Sequence, residues 1–259
     1  MESTQKPQVE PLVIPLDKPV GPSSFRLVQL VRRALGIKKV GHAGTLDPFA
    51  SGLLLVCVGR GATRLVERLM AGDKEYLATL QLGVATDTHD REGQVTATAE
   101  VTHEQLLRLQ EVLFRFRGEI LQSPPAFSAV KHQGRPLYVY ARRGEIIEKP
   151  PRRVKIHELT PLELDRRQRR LVIRVRCSKG TYIRSLAHEI GQSLGCGAHL
   201  LELRRLASGP FRVEEAVAGD LLAEPATAAG PLQAGALSVA AVEERLAASL
   251  EPAPPLSPL

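Results

Sequence analysis

The chain of 259 residues has no tryptophan, and aromatic residues make up only 4% of it. Stacking of successive bases on a broad aromatic surface is therefore not its main binding device. Cysteine is scarce: Cys57, Cys177 and Cys196 lie far apart, without metal-ligand spacing. They read as reduced thiols of a cytoplasmic protein. No apolar run approaches the roughly 18 residues of a membrane span. Residues 1–10 are polar and lack the apolar segment of a signal peptide. There is no Walker loop, no Gly-x-Gly-x-x-Gly after a strand and no Gly-x-Ser-x-Gly elbow. His89 with Asp87 and Asp90 reads as a hydrogen-bonded turn rather than a metal site, because no second histidine sits at ligand spacing.

What is present is an apolar fraction of 43%, enough for a packed core. The net charge of +7 is unevenly placed. From residue 214 to the end, Arg245 is the only basic residue against seven acidic ones. Residues 1–213 hold 34 basic and 21 acidic residues, a surplus of +13. A body this basic suits a polyanion such as nucleic acid, although a generic basic enzyme surface fits the same count.

Strands are expected at 12–16, 53–58, 76–82, 95–101 and 171–177, from apolar runs or alternation. A helix capped by Ser23 or Ser24 should bury Phe25, Val28, Val31 and Leu35 and stop at Gly36. Thr102 and Gln105 resemble a capping box for a helix running to Phe116. Another helix is expected from Thr181 to about Leu194, and a short one over 238–250. Strands and helices in this mixture indicate an α+β, or mixed α/β, domain. Residues 123–153 have no clear period and contain Pro124, Pro125, Pro136, Pro150 and Pro151. Together with Arg142 and Arg143, their many cations read as a basic arm for a phosphate backbone, or as a solvated insertion. The last nine residues read as disordered.

The segment Gly41-His42-Ala43-Gly44-Thr45-Leu46-Asp47-Pro48-Phe49-Ala50-Ser51-Gly52 is too rich in Gly and Pro for regular structure, yet runs straight into an apolar strand. Its single carboxylate, Asp47, belongs either to a site or to a solvated turn.

Four segments stand out together: Asp17-Lys18-Pro19 with Gly21 and Ser23-Ser24; residues 41–55; Asp73-Lys74-Glu75-Tyr76; and Cys177-Ser178-Lys179-Gly180-Thr181-Tyr182-Ile183-Arg184-Ser185-Leu186. With Leu203-Arg204-Arg205-Leu206 they resemble, in order and over about 12–211, the TruB-type pseudouridine synthases, which isomerise a uridine in the T-loop of tRNA. The resemblance implies the pseudouridine-synthase fold: a central mixed, largely antiparallel sheet flanked by helices, with a catalytic cleft on one face. It implies Asp47 as the catalytic aspartate, Tyr76 as the tyrosine that stacks on the flipped uracil, and Arg184 as the aspartate's partner. His42 matches the residue that enters the opened T-loop, and Leu203 the leucine that closes over the base. Tyr182, Lys179 and Lys18 fall in flanking motifs with supporting contacts to substrate or RNA.

The isomerisation exchanges a C1′–N1 bond for a C1′–C5 bond, so no cofactor and no metal are expected. The resemblance further implies guide-independent action at tRNA position 55 by a monomer needing no protein partner. It sets a catalytic domain over 1–213 and a short acidic Ala/Pro-rich tail over 214–259, with the family's C-terminal PUA barrel absent or vestigial. A non-catalytic tRNA-binding or folding chaperone is the alternative, and an RNA glycosidase using Asp47 a weaker one.

Overall fold

A computed structural model describes residues 10–249. They divide into two compact units, one formed by 1–72 with 205–259, the other by 73–204; the first is described over its residues 10–72 and 205–249.

The first unit begins with β1 (Leu12–Lys18), α1 (Ser24–Leu35), β2 (Val40–Ala43), β3 (Ser51–Val58), α2 (Gly59–Thr63) and α3 (Val66–Ala71). β1 and β3 pair antiparallel from Leu12 opposite Val58 to Lys18 opposite Gly52, and β2 lies antiparallel on β3. Both strands are buried on both faces, so each reads as an unbroken apolar run rather than an alternating one. Ser23 caps α1 by accepting from the Arg26 N–H, and Gly36 ends it at φ +67°. The buried face of α1 is Leu27, Val28 and Val31; Phe25, expected inside, is 56% exposed. Positions 24, 27, 28 and 31 complete the i, i+3, i+4, i+7 stripe, and Phe25 falls outside it.

The second unit holds β4 (Lys74–Leu82), β5 (Val84–Thr86), β6 (Val95–Thr98), α4 (His103–Leu107), α5 (Leu109–Arg115), β7 (Gly118–Gln122), β8 (Lys131–His132), β9 (Arg135–Pro136), α6 (Leu137–Ala141), β10 (Arg152–Asp165), β11 (Arg170–Cys177) and α7 (Ile183–Leu194). Its sheet runs β4–β11–β10–β7, all antiparallel. β4 alternates strictly between buried and half-buried residues, as a strand with one face on a core must. The capping box of Thr102 and Gln105 is formed, but the helix breaks at Arg108 into α4 and α5. The basic arm has structure of its own: β8 and β9 form a hairpin, and α6 follows with Leu137 and Ala141 buried.

β12 (Ala198–Ser208) begins in the second unit, beside β4, and ends in the first. β13 (Phe211–Arg212), β14 (Val217–Ala218), α8 (Ala229–Ala234), β15 (Leu237–Ser238) and α9 (Val239–Ala248) complete the first unit. β14 pairs parallel with β1, and β15 antiparallel. Residues after 213, which composition presents as a tail, cover both faces of β1 and β3. Leu222 and Leu232 join Ile14, Leu16, Leu54 and Val56 on one side. Val242 and Leu246 join Val13, Leu53, Leu55 and Cys57 on the other. The last nine residues, read as disordered, lie outside the described residues.

Candidate active site

Asp47 sits half-buried in the connection between β2 and β3, and polar groups hold that connection from several sides. Lys18 ends β1 with no solvent exposure. Its Nζ donates to the carbonyls of Pro19 (2.9 Å), Pro48 (3.2 Å) and Ala50 (2.6 Å). A buried ammonium is costly without such acceptors, and here the acceptors include the backbone on the C-terminal side of Asp47. Gly21 N–H donates to Pro48 O at 2.9 Å. Ser24 Oγ exchanges two bonds of 2.9 Å with the backbone of Leu46, donating to its carbonyl and accepting from its N–H. The Ala50 N–H donates to the Asp47 carbonyl at 3.1 Å, which closes the turn. Leu46, Phe49 and Ala50 are buried, so the turn has a small core beneath it.

His42 lies on β2 opposite Val56. Its Nδ1 is buried and has no hydrogen-bond partner among the described residues. Burial, and then the positive charge of Arg205, hold its pKa below the usual histidine value. His42, Asp47 and Lys18 thus belong to one unit.

The second unit carries the remaining candidates. Tyr76 is on the buried face of β4, opposite Val175, and 9% exposed. Leu203 is a buried residue of β12. Arg184, in the first turn of α7, is 6% exposed. Its guanidinium donates to Thr88 O (3.1 Å) and Phe127 O (2.7 Å) and lies 3.3 Å from Asp90 Oδ2. Asp90 is itself buried, and its Oδ1 accepts from Thr88 Oγ1 (2.6 Å) and Glu92 N (3.0 Å). This ion pair joins α7 to the polar turn after β5, and it was not legible as such in the sequence. Asp87, Asp90 and Glu92 compete within that turn, and only the three-dimensional position of Arg184 selects Asp90.

The backbone of Tyr182 makes a two-way bridge with the buried amide of Gln122: Tyr182 N–H donates to Oε1 (2.7 Å), and Nε2 donates to Tyr182 O (3.1 Å). Ser185 Oγ adds a bond to Ser123 O. The root of the arm is thereby fastened to the start of α7. Lys179 is exposed in the turn before α7, and Arg142 and Arg143 are exposed just after α6, with Arg142 over the Tyr138 ring at 5.4 Å. No group of three or more His, Cys, Asp or Glu able to hold a metal occurs among the described residues.

The N-terminal domain model of the TruB family pseudouridylate synthases matches residues 32–183, and that of the tRNA pseudouridylate synthase B C-terminal domain matches 184–235. The chain belongs to the TruB family. It is 54% identical over 215 residues to tRNA pseudouridine synthase B of Desulfotalea psychrophila, covering 82% of this chain and 87% of that protein. With the protein of the same name from Bordetella avium the identity is 50%, over 81% of this chain and 86% of the relative. Among solved structures, a chain of a Cbf5–Nop10–Gar1 complex matches with a TM-score of 0.68 and 33% identity. That match covers 90% of this chain and only 62% of the other. The expected fold class, a mixed and largely antiparallel sheet with flanking helices, agrees with the observed one.

Proposed function

We propose that this TruB family member isomerises a uridine of the tRNA T-loop, position 55 in conventional numbering, to pseudouridine, using Asp47 as the essential carboxylate. The observation that carries the reading is the construction around Asp47. A solvated turn has no need of a buried lysine, a buried serine and a glycine of the β1–α1 turn bonded to its backbone, whereas a group that must meet one atom of a substrate does. Membership of the family supports the tRNA uridine isomerase reading over the non-catalytic chaperone.

In this reading the target base leaves the stack, at a cost of a few kcal/mol. His42, whose Nδ1 has no partner among the described residues, enters the opened loop, and burial with the nearby Arg205 charge disfavours its charged form. Tyr76 offers a flat face and a hydroxyl to the uracil, and Leu203 closes over it. Arg184 is the aspartate's partner in this reading, a cation of the kind that favours an ionised carboxylate. The C1′–N1 bond breaks, the base turns, C5 bonds to C1′, the C5 hydrogen leaves as a proton and N1 gains one. The sum is an isomerisation, complete without redox partner or transferred group, so the reading needs no cofactor. Lys179, Tyr182, Arg142 and Arg143 contact the RNA, and shape and phosphates rather than groove reading select it. The protein acts as a cytoplasmic monomer without guide RNA. Its three cysteines are free and buried, in keeping with a reducing compartment.

Mapping pseudouridine in unmodified tRNA after incubation with the purified protein tests this function. A single new pseudouridine in the T-loop is expected. An unmodified transcript would return the reading to a binding protein, and free uracil among the products would indicate a glycosidase.

A further inference from the structure

Arg205 is among the largest fully buried side chains of the described residues, 2% exposed, and it lies in the same unit as Asp47. Nothing in the proposed chemistry requires it. Its acceptors are backbone carbonyls: Nε donates to Leu53 O at 2.7 Å and Nη2 to Gly44 O at 3.0 Å. Gly44 opens the irregular connection that carries Asp47, and Leu53 is the third residue of β3, the strand that follows it. One rigid, planar cation therefore bonds the start of the connection to the strand just beyond its end, and the fixed fork of a guanidinium suits two acceptors in a set geometry.

The backbone is shaped to admit it. Gly44 has φ +83°, and a Cβ there would stand 3.4 Å from Arg205 Nη1. Gly52 has φ +100°, and a Cβ there would be 2.2 Å from Arg205 O, so the strand backbone at 205 fits only against a glycine. Two glycines of the motif thus serve this one arginine, one beneath its guanidinium and one beneath its main chain.

We infer that Arg205 is a positioning residue for the isomerisation: by tying Gly44 to Leu53 it fixes the span of the connection, and with it the direction of the Asp47 carboxylate. Lys18 and Ser24 bond the same connection at Leu46, Pro48 and its last residue, Ala50, and the Arg205 bonds add the flanking positions Gly44 and Leu53. The inference rests on the catalytic reading of Asp47.

Arg205→Lys keeps the charge but has no fork to span two carbonyls, and Arg205→Met removes both. Single-turnover pseudouridine formation on a T-arm RNA should fall by about tenfold to a hundredfold in each, with RNA affinity within about twofold of wild type. Hydrogen exchange at Leu46 and Ala50 should quicken while the β1 amides keep their protection. The His42 imidazole, followed by NMR, should titrate at higher pH in Arg205→Met and at an unchanged pH in Arg205→Lys, because only the first removes the neighbouring charge. A loss of packing alone would not split the two variants this way. Should Arg205→Met not fold, Gly44→Ala keeps the guanidinium and crowds it at the Gly44 end, and the same fall in rate is expected. A wild-type rate in folded Arg205→Lys or in Gly44→Ala overturns the inference, as does a defect confined to RNA affinity. Asp47→Asn, measured alongside, separates the two readings. If it keeps activity, the catalytic reading fails; if it is inactive while Arg205→Lys is fully active, only the role of Arg205 fails.

Discussion

The two units anchor their buried cations differently. In the first, Lys18 and Arg205 donate to five backbone carbonyls, four of them on the chain around Asp47, from Gly44 to Leu53, and the fifth that of Pro19. In the second, Arg184 donates to two carbonyls and also faces the carboxylate of Asp90. Carbonyl acceptors fix the path of a backbone, and the charge of Arg205, held by two of them, is felt by His42. A carboxylate acceptor fixes the cation itself, holding the guanidinium plane against α7 and the turn after β5. The first arrangement suits a loop that must hold its own acid still. The second suits an arginine that must be presented as a group.

Breaking each anchor should therefore have different consequences. Asp90→Ala takes the Asp90 carboxylate away from the buried Arg184, and loss of one partner of a buried pair costs about 3–5 kcal/mol. A large drop in melting temperature is expected, together with a loss of pseudouridine formation. Lys18→Met keeps the volume and removes the donor to three carbonyls, but Pro48 O keeps the Gly21 N–H and only the Ala50 acceptor is fully buried, so one unsatisfied acceptor, costing about 1–3 kcal/mol, is left. A smaller drop in melting temperature is expected, read by the same thermal scan. If Lys18→Met proves the more damaging, the contrast between the units is drawn the wrong way round.

Arg142 and Arg143 lie on neither anchor. Replacing both with alanine should leave melting unchanged, weaken RNA binding, and reduce the slope of log affinity against log salt by about 1.5–2, measured by filter binding. An unchanged slope removes the arm from the RNA interface.

The smallest effect concerns pH. His89 and His188 stack with ring centroids 3.9 Å apart in the second unit, and burial first, then the charges of His188 and Arg184, push the His89 pKa down to about 4. A histidine depressed in the folded state stabilises above its unfolded value near 6.5, and that stability is lost as pH falls toward 4. Glu189 beside them is pushed by burial up to about 7. It works in the opposite sense: its contribution is complete below the unfolded value near 4.5 and is lost as pH rises through 7. Glu189→Gln should thus raise the melting temperature at pH 8 more than at pH 4.5, and steepen the loss of stability on acidification. An equal gain at both pH values would contradict the assignment.

How much of this was legible in the sequence varied with the physics. Apolar runs and caps gave β1, β3, α1 and the capping box at Thr102, because each is a local signal. β10, at 14 residues the longest strand, was lost in the arm and its flank. Its inward residues Val154, Ile156 and Leu159 fall out of period two because the pairing with β11 shifts register between Ile156 and Glu158 and again between Pro161 and Glu163. Residues 214–249 read as a tail because Ala, Pro and Glu dilute the few apolar residues, although Leu222, Leu232, Val242 and Leu246 are enough to cover two faces. At the candidate site the motif residues were legible as a family pattern. The pairing of Asp90 and the acceptors of Arg205, itself a motif residue, were not, since their partners lie 94 and at least 152 positions away in the chain.

The central claim is that the connection between β2 and β3 is built to hold one working carboxylate. Tritium release from T-arm RNA labelled at uridine C5 tests it most directly, with wild-type protein and Asp47→Asn compared under single turnover. The wild type should release one tritium per target uridine, and Asp47→Asn, folded and binding RNA normally, should be slower by three or more orders of magnitude, about 4 kcal/mol of barrier. Release at the wild-type rate by Asp47→Asn would contradict the account.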